Sequence, residues 1–228
     1  MRKKTFLLGS FAAALLAAGV LLEAKSAPKL SLDAPSALTM VNGAAQVLTY
    51  KGRRAVRLAP PAGQEKNDGS IFAIVNGSEF KDGTIEVDVA GAPRPGSAPN
   101  MKGFIGVAFR VQGNAEGAEM FYIRPLNARD SDQLVRNHSV QYVSDPDFSW
   151  QRLRTENPGV YESYADLEPA AWTHLKIVVA GAKAWLYVNG AAQPCLVVND
   201  LKRGDSHGQI ALWSHTTTEA YFANLQVK

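Results

Sequence analysis

The segment Trp172–Gly190 constrains the fold of this chain more strongly than any other stretch. It reads WTHLKIVVAGAKAWLYVNG and holds two runs in which apolar and polar residues alternate. Such alternation is typical of half-buried antiparallel strands, because successive side chains point to opposite faces of a sheet. Gly181-Ala182 lies where the first run must turn into the second. Asn189-Gly190 favours a type I′ turn, since both residues tolerate positive φ. We therefore predict a β-hairpin, to which the other strands are added.

The rest of the sequence predicts further short strands and no convincing helix after the N-terminal region. About twelve strands in all are separated by clusters of Gly, Pro, Asn and Asp. Those outside the hairpin are expected near 45–50, 55–59, 71–75, 84–90, 104–111, 120–125, 139–143, 195–198, 209–214 and 220–227, and the irregular stretch 144–168 could add a short one near 160–164. Neither a repeat nor a linker divides them. We predict an all-β fold, a two-sheet antiparallel jelly-roll sandwich that forms one domain over residues 40–228.

The N-terminal 26 residues have the pattern of a secretory signal peptide. Arg2-Lys3-Lys4 is a basic start, Phe6–Leu22 is an apolar run, and Ala24-Lys25-Ser26 offers small residues for cleavage. The alternative is an uncleaved anchor, because an apolar run of this length can just span a bilayer. Cleavage would give an exported protein, periplasmic or extracellular, with no stable membrane insertion. Residues 27–39 would then be a lead-in to the domain.

Charge and cysteine content exclude several classes of function. The chain has 24 Lys and Arg against 21 Asp and Glu, but four of the basic residues and one acidic residue precede position 27. The expected mature part is therefore neutral, and it lacks the basic excess that nucleic-acid binding requires. The single cysteine, Cys195, allows no internal disulfide and lies in an apolar run, which favours a buried, inert thiol.

Alternation also predicts which side chains point away from the core. Arg110, Tyr122, Arg124 and Trp213 each oppose an apolar row on their own strand. Arginines and aromatic rings that share one sheet face with small residues would line a shallow polar and aromatic groove. An ordinary solvated face would carry mostly Lys, Glu and Thr. The alternatives of a plain wet face or a second buried layer stay open at this point.

Three parts of the sequence carry a family resemblance. They are FKDGTIEVDV at 80–89, WTHLKIVV with LYVNG at 172–190, and GQIALW with AYFANL at 208–225. Together they resemble the concanavalin A-like lectin/glucanase superfamily, and within it the laminin-G-like and 3-keto-disaccharide hydrolase domains. The resemblance implies a concanavalin A-like jelly roll. It implies much less about function, because this superfamily includes lectins, hydrolases and adhesion modules.

One comparison within that superfamily argues against a particular enzyme class. The segment Glu86–Gly91 is similar to the Glu-x-Asp-x-x-Glu strand of laminarinase-like glycosidases, but its third acidic position is glycine. A retaining glycosidase needs two correctly spaced carboxyl groups. We therefore interpret Glu86 and Asp88 as solvent-facing strand residues.

The richest polar block of the chain lies between Phe121 and Tyr164, and it includes a long irregular stretch at 144–168. Aromatic rings stack on the apolar faces of sugars, and Arg and Gln hydrogen-bond to hydroxyl groups. We predict that the chain binds a carbohydrate, with loop 144–168 as one wall of the groove. The alternative is that these groups satisfy one another. The predicted ligand-binding residues are Arg110, Tyr122, Arg124, Gln141, Tyr142, Trp150 and Trp213.

Catalysis is the alternative function. His138 or His174 could act as a general base beside Glu162 or Asp130, although a strand histidine is more often simply hydrogen-bonded. His138, Glu162 and Asp130 would serve a glycoside-cleaving hydrolase. We predict no metal and no cofactor, with Ca²⁺ at Asn67-Asp68-Gly69 as a weaker alternative, since Asp-Gly is commonly only a turn.

The sequence therefore favours an exported, monomeric, lectin-like domain that recognises a glycan on its concave sheet. A hydrolase related to the 3-keto-disaccharide hydrolases is the second hypothesis. A surface interaction module without a small-molecule site is the third, and it would require an extended exposed apolar patch.

Overall fold

The computed structural model describes residue 32 and residues 34–65 and 68–228. The predicted signal peptide, with the first part of the lead-in at 27–39, lies outside these residues. Within the described ranges, no helix is long and apolar enough to cross a membrane.

Two antiparallel sheets of seven strands each form the described part of the chain. Sheet A has the order β1-β4-β13-β6-β7-β8-β9, and sheet B has the order β12-β11-β10-β5-β14-β3-β2. The strands are β1 Leu38–Val41, β2 Ala44–Tyr50, β3 Arg53–Ala59, β4 Ser70–Val75, β5 Gly83–Pro93, β6 Ile105–Gln112, β7 Gly117–Ile123, β8 Val140–Asp145, β9 Glu162–Ser163, β10 Thr173–Ala180, β11 Lys183–Val188, β12 Leu196–Val198, β13 Gln209–His215 and β14 Thr218–Val227. The prediction of an all-β, two-sheet antiparallel sandwich is confirmed.

The predicted hairpin is the β10–β11 pair of sheet B. Leu175 pairs with Val188, and Ile177 pairs with Leu186. Leu175, Ile177 and Leu186 are fully buried, so each contributes about 1.5–3 kcal/mol by leaving water. The turns have the expected backbone, because Gly181, Asn189 and Gly190 all have positive φ. Alternation in the sequence therefore identified both the pairing and the buried face.

Cys195 is part-buried, and its thiol is shielded from solvent as the sequence indicates. Its Sγ lies 3.4 Å from the carbonyl oxygen of Leu186, and burial raises the pKa of the thiol to about 11. The thiol is therefore protonated and inert near neutral pH.

Two short α-helices were missed by the sequence analysis: α1, Gln133–Arg136, and α2, Trp150–Glu156. Helix α2 replaces part of the stretch that was expected to be irregular. Its N-terminus is capped by Ser149, which accepts from the main-chain N–H of Arg152, and Leu153 is its buried residue. Two turns with one buried side chain show no helical period in a sequence, because a period needs several turns.

Arg110 is not on the groove face, which corrects the prediction that it binds ligand. It is fully buried, has φ of 52°, and lies where the register of β6 shifts against both neighbours. A bulge of this kind re-aims a side chain. The guanidinium donates to the carbonyl oxygens of Lys81, Gly181 and Gly204 and forms an ion pair with Asp82. Arg110 therefore joins three loops at one end of the sandwich.

We predict that Arg110→Met lowers the free energy of unfolding by about 2–4 kcal/mol, because three carbonyl groups lose a charged donor. Urea denaturation measures the change. The matched control is Arg152→Met, since Arg152 makes an exposed i,i+4 pair with Glu156 that contributes below about 1 kcal/mol. Equal stability losses in the two variants would contradict the joining role of Arg110.

Candidate functional site

One row of directly paired residues crosses five strands of sheet A. Trp213 pairs with Gly106, Gly106 with Tyr122, Tyr122 with Gln141, and Gln141 with Glu162. Residues paired across neighbouring strands lie on the same face of a sheet. The pairing thus brings together four residues that the sequence analysis selected from distant parts of the chain.

Gly106 creates space in the middle of this row. The rings of Tyr122 and Trp213 flank it on the two adjacent strands, and their centroids are 5.0 Å apart at an interplanar angle of 45°. A Cβ atom on Gly106 would lie 2.1 Å from the carbonyl oxygen of Phe121 and 2.6 Å from Cα of Tyr122. The missing side chain therefore allows the two rings to meet as one aromatic surface.

A pocket of about 550 Å³ opens over this surface. Such a volume is in the range of small-molecule sites. Helix α2 and the residues just before β6 supply its walls. The aromatic lining residues are Phe104, Tyr122, Trp150 and Trp213, and the ionisable ones are Asp68, Lys102, Arg124, His138, Asp145, Arg154 and His215.

Arg124 is the buried cation of the pocket. Its guanidinium donates to the carbonyl oxygen of His138 at 2.9 Å, to Oη of Tyr122 at 2.8 Å and to Oε1 of Gln141 at 3.2 Å. It also lies 5.8 Å from the ring of Trp150. Burial lowers the pKa of Arg124, and among the described residues no carboxylate lies within ion-pair distance of it. A buried charge without an ionic partner favours a ligand that brings oxygen atoms.

A second cluster joins His138, Arg154 and Glu162 at one side of the pocket. Arg154 donates from Nε and Nη2 to both carboxylate oxygens of Glu162, with its shortest contact 2.6 Å. Nδ1 of His138 lies 2.9 Å from Oε1 of Glu162. Burial lowers the pKa of His138, which the nearby Glu162 partly offsets. The lowered pKa favours the neutral imidazole, which lies against the carboxylate of Glu162.

Four predicted residues besides Arg110 do not line the pocket. Gln141 and Glu162 contact the lining residues Arg124 and Arg154 from behind, and Asp130 and Tyr142 are engaged elsewhere. Oδ1 of Asp130 accepts from the main-chain N–H of Asp132, and its other oxygen is 3.9 Å from Nζ of Lys102. Tyr142 is fully buried, and its hydroxyl donates to Glu119 and accepts from the main-chain N–H of Lys202. Tyr142 follows Gln141 in the same strand, so alternation directs it into the core. Neither Asp130 nor Tyr142 is placed to contact a ligand in the pocket.

The structure adds pocket residues that the sequence analysis missed. Asp145 ends the same strand face as Gln141 and Val143, a continuation of the alternation that could have identified it. His215 lies with Nε2 2.7 Å from Oδ1 of Asp68.

The alternative calcium site was predicted at Asn67-Asp68-Gly69, and Asn67 lies outside the described residues. Within 34–65 and 68–228, no group of three His, Cys, Asp or Glu is placed to hold a metal ion.

Solved structures with the same architecture include a carbohydrate-binding module, CBM66 from Bacillus subtilis, with 19% identity and a TM-score of 0.57 over 84% of this chain and 95% of that chain. A second Bacillus subtilis protein, with a galectin-like fold, has 12% identity and a TM-score of 0.56 over 88% and 92% of the two chains. A variant of the carbohydrate recognition domain of Emp46p has 12% identity and a TM-score of 0.51 over 84% and 88%. At these identities the similarity shows the fold.

The family itself is shown by a sequence model. The chain belongs to the family of 3-keto-alpha-glucoside-1,2-lyase-like domains, whose model matches residues 26–228. The resemblance to the 3-keto-disaccharide hydrolase branch is thereby confirmed. None of the curated proteins matches the chain.

We predict that Gly106→Ala lowers the free energy of unfolding by about 1–3 kcal/mol, because the new methyl group must displace main-chain atoms of β7. It should also move Tyr122 away from Trp213, which near-UV circular dichroism reports. Gly69→Ala is the control, since its Cβ would meet only Cγ2 of Thr216, at 3.4 Å. An unchanged near-UV spectrum in a destabilised Gly106→Ala variant would show that the ring contact does not need this gap.

Proposed function

We propose that this domain binds a carbohydrate in the pocket on the outer face of sheet A. The observation that carries the proposal is the placement of the buried guanidinium of Arg124 against the Tyr122–Trp213 ring surface. A sugar ring has an apolar face and a rim of hydroxyl groups. The rings of Tyr122 and Trp213 can pack against the apolar face, and the guanidinium of Arg124 can donate to the hydroxyl groups.

Further contacts support binding of a ligand of this kind. Gln141 lies behind the pocket lining, where it accepts from Arg124 and donates to the carbonyl oxygens of Tyr142 and Tyr161, so the guanidinium of Arg124 is held in place before a ligand arrives. Trp150 is 38% exposed on helix α2 and forms part of the rim. Pre-organised polar groups beside an apolar wall reduce the entropy lost on binding.

The similar structures agree with this proposal, since two of them are a carbohydrate-binding module and a carbohydrate recognition domain. Export by the N-terminal signal, as a monomer, is part of the same proposal. An exported domain of this kind would meet glycans outside the cytoplasm.

We predict that Trp213→Ala weakens binding of the preferred glycan at least tenfold, about 1.4 kcal/mol, because half of the aromatic surface is removed. A glycan array with glucans and plant and bacterial wall polysaccharides identifies the ligand, and titration calorimetry measures the affinity.

The control for this prediction is Trp185→Ala. Trp185 lies on the outer face of sheet B, paired with Val178 and Val197, away from the pocket. Its loss should leave affinity unchanged. Wild-type protein that binds no glycan on the array, or equal weakening in the two variants, would overturn the assignment of the binding site.

Cleavage of a bound glycoside is a second candidate function, favoured by the His138–Glu162–Arg154 cluster. The family description names a 1,2-lyase that acts on 3-keto-α-glucosides. A ketone at C3 acidifies the hydrogen on C2, so a neutral imidazole can remove it as a general base. His138 lines the pocket with its Nδ1 2.9 Å from Oε1 of Glu162, and the proposal assigns Nε2 as the acceptor of the C2 proton. We propose that the pocket cleaves 3-ketoglycosides by elimination.

We predict that His138→Gln lowers turnover of a 3-keto-α-glucoside by about 10²–10⁴-fold, with little change in KM, because the general base is lost. Product formation is followed by the absorbance of the conjugated enone.

His174→Gln is the matched control. Nδ1 of His174 lies 2.9 Å from Oδ1 of Asp88, the same distance as in the His138–Glu162 pair, but on sheet B. Its turnover should equal that of the wild type. Full activity of His138→Gln would exclude this residue as the base, and an inactive wild type would exclude the cleavage function.

A further inference from the structure

Trp150 is an exposed aromatic residue at the rim of the pocket. Four large apolar side chains are exposed among the described residues, and Trp150, at 38%, is the one of them that lines the pocket. The other three are aliphatic: Leu134, Val160 and Val197. An indole left in water forgoes the free energy of burying a large apolar group. At the edge of a ligand pocket, such a ring indicates a surface that a ligand covers.

The pocket therefore has two separate aromatic surfaces. Tyr122 and Trp213 contact each other and form the ring surface of the floor. Trp150 makes no ring–ring contact with either of them in the part of the chain that the structure describes. Its ring has charged neighbours instead, with the guanidinium carbon of Arg154 4.7 Å and that of Arg124 5.8 Å from the ring centre. The indole is thus a surface of its own.

Arg124 is next to both surfaces. Its guanidinium carbon lies 5.0 Å from the ring centre of Tyr122 and 5.8 Å from that of Trp150. One molecule can therefore cover both surfaces while its oxygen atoms accept from Arg124. A glycosidic linkage joins two sugar rings through one oxygen atom, so two neighbouring aromatic surfaces beside a common donor match two linked rings.

The rim is held in place before a ligand arrives. Trp150 begins helix α2, which is capped by Ser149 and anchored in the core by Leu153. The guanidinium of Arg154 packs over the indole and is itself held by both carboxylate oxygens of Glu162. A ring whose position is already fixed loses little entropy on binding.

The pocket also has room and polar groups for a second sugar. Its volume of about 550 Å³ lies in the range of sites for drug-sized molecules, which are larger than one sugar ring. Gln151, the residue after Trp150, lines the pocket too, and its side-chain amide can both donate to and accept from hydroxyl groups.

We propose that Trp150 forms a second sugar subsite, so that the pocket recognises a glycan of at least two linked sugars. One sugar packs against Tyr122 and Trp213, the next packs against Trp150, and Arg124 donates to oxygen atoms near the linkage. This inference rests on the carbohydrate binding proposed above. It adds the minimum length of the glycan and the residue that selects it.

The test measures affinity as a function of glycan length. The probes are oligosaccharides of one to four sugars from glucans and from plant and bacterial wall polysaccharides, with each single sugar used as its methyl glycoside. None carries a ketone at C3, so the elimination proposed above does not consume them during a titration. We expect the wild type to bind the two-sugar member of its preferred series at least tenfold more tightly than the one-sugar member.

Trp150→Ala should remove this length preference. We expect its affinity for the two-sugar member to fall at least tenfold and its affinity for the one-sugar member to change less than about twofold. Trp150→Phe keeps an aromatic ring and should stay within about threefold of the wild type for both members. A merely structural role for Trp150 would weaken the two members equally.

Two matched tryptophan variants complete the comparison. Trp213→Ala should weaken binding of both members, because every ligand uses the floor. Trp185→Ala, on the outer face of sheet B, should weaken neither.

Trp150→Ala should leave the rest of the site in place. Arg154 keeps its contacts with Glu162, and Arg124 keeps its three oxygen partners. Urea denaturation checks that the variant is folded. Trp150→Leu, which keeps apolar bulk without an aromatic face, is the second variant if Trp150→Ala fails to fold, and it should show the same selective loss.

The outcomes separate the two proposals. Equal weakening of the one- and two-sugar members in Trp150→Ala, or no weakening of either, would overturn the second subsite while carbohydrate binding stands. A wild type that binds one sugar as tightly as two would do the same. A wild type that binds none of the oligosaccharides would overturn both proposals. Loss confined to members of two or more sugars supports both.

Discussion

The strand register of sheet A is the constraint on which the site depends. A buried row on the inner face, Leu212, Val107, Phe121 and Tyr142, runs directly beside the outer row that carries the site. All four residues are fully buried. A slip of one residue would turn this row toward water, at about 1.5–3 kcal/mol for each side chain. The core therefore fixes where the rings, the amide and the carboxylate of the outer face meet.

Two charged groups of the pocket differ in their partners from Asp88, a part-buried carboxylate on the other sheet. On sheet B, Asp88 contacts Arg53, His174 and Asn224, so that its carboxylate is fully engaged. In the pocket, the cation of Arg124 and the carboxylate of Asp145 have no ionic partner among the described residues. Groups of opposite charge that stay apart in one pocket are typical of sites built to act on a ligand.

The hairpin, the all-β class and the outward placement of Tyr122, Arg124 and Trp213 could be predicted, because each follows from local alternation. Arg110 could not, since a bulge reverses its direction without a sequence signal as clear as alternation. Helix α2 was too short to show a period. Asp145 was overlooked although alternation along β8 reaches it, because the irregular stretch was predicted to begin at residue 144. Its isolation from other charges depends on tertiary packing, which no local pattern encodes.

A crystal structure of the protein with a bound 3-keto-α-glucoside tests the central claim most directly. The claim is that the outer row of sheet A makes the site. We expect the sugar ring against Tyr122 and Trp213, with a ligand oxygen within hydrogen-bonding distance of Arg124. A ligand bound on the outer face of sheet B, with the pocket of sheet A empty, would contradict it.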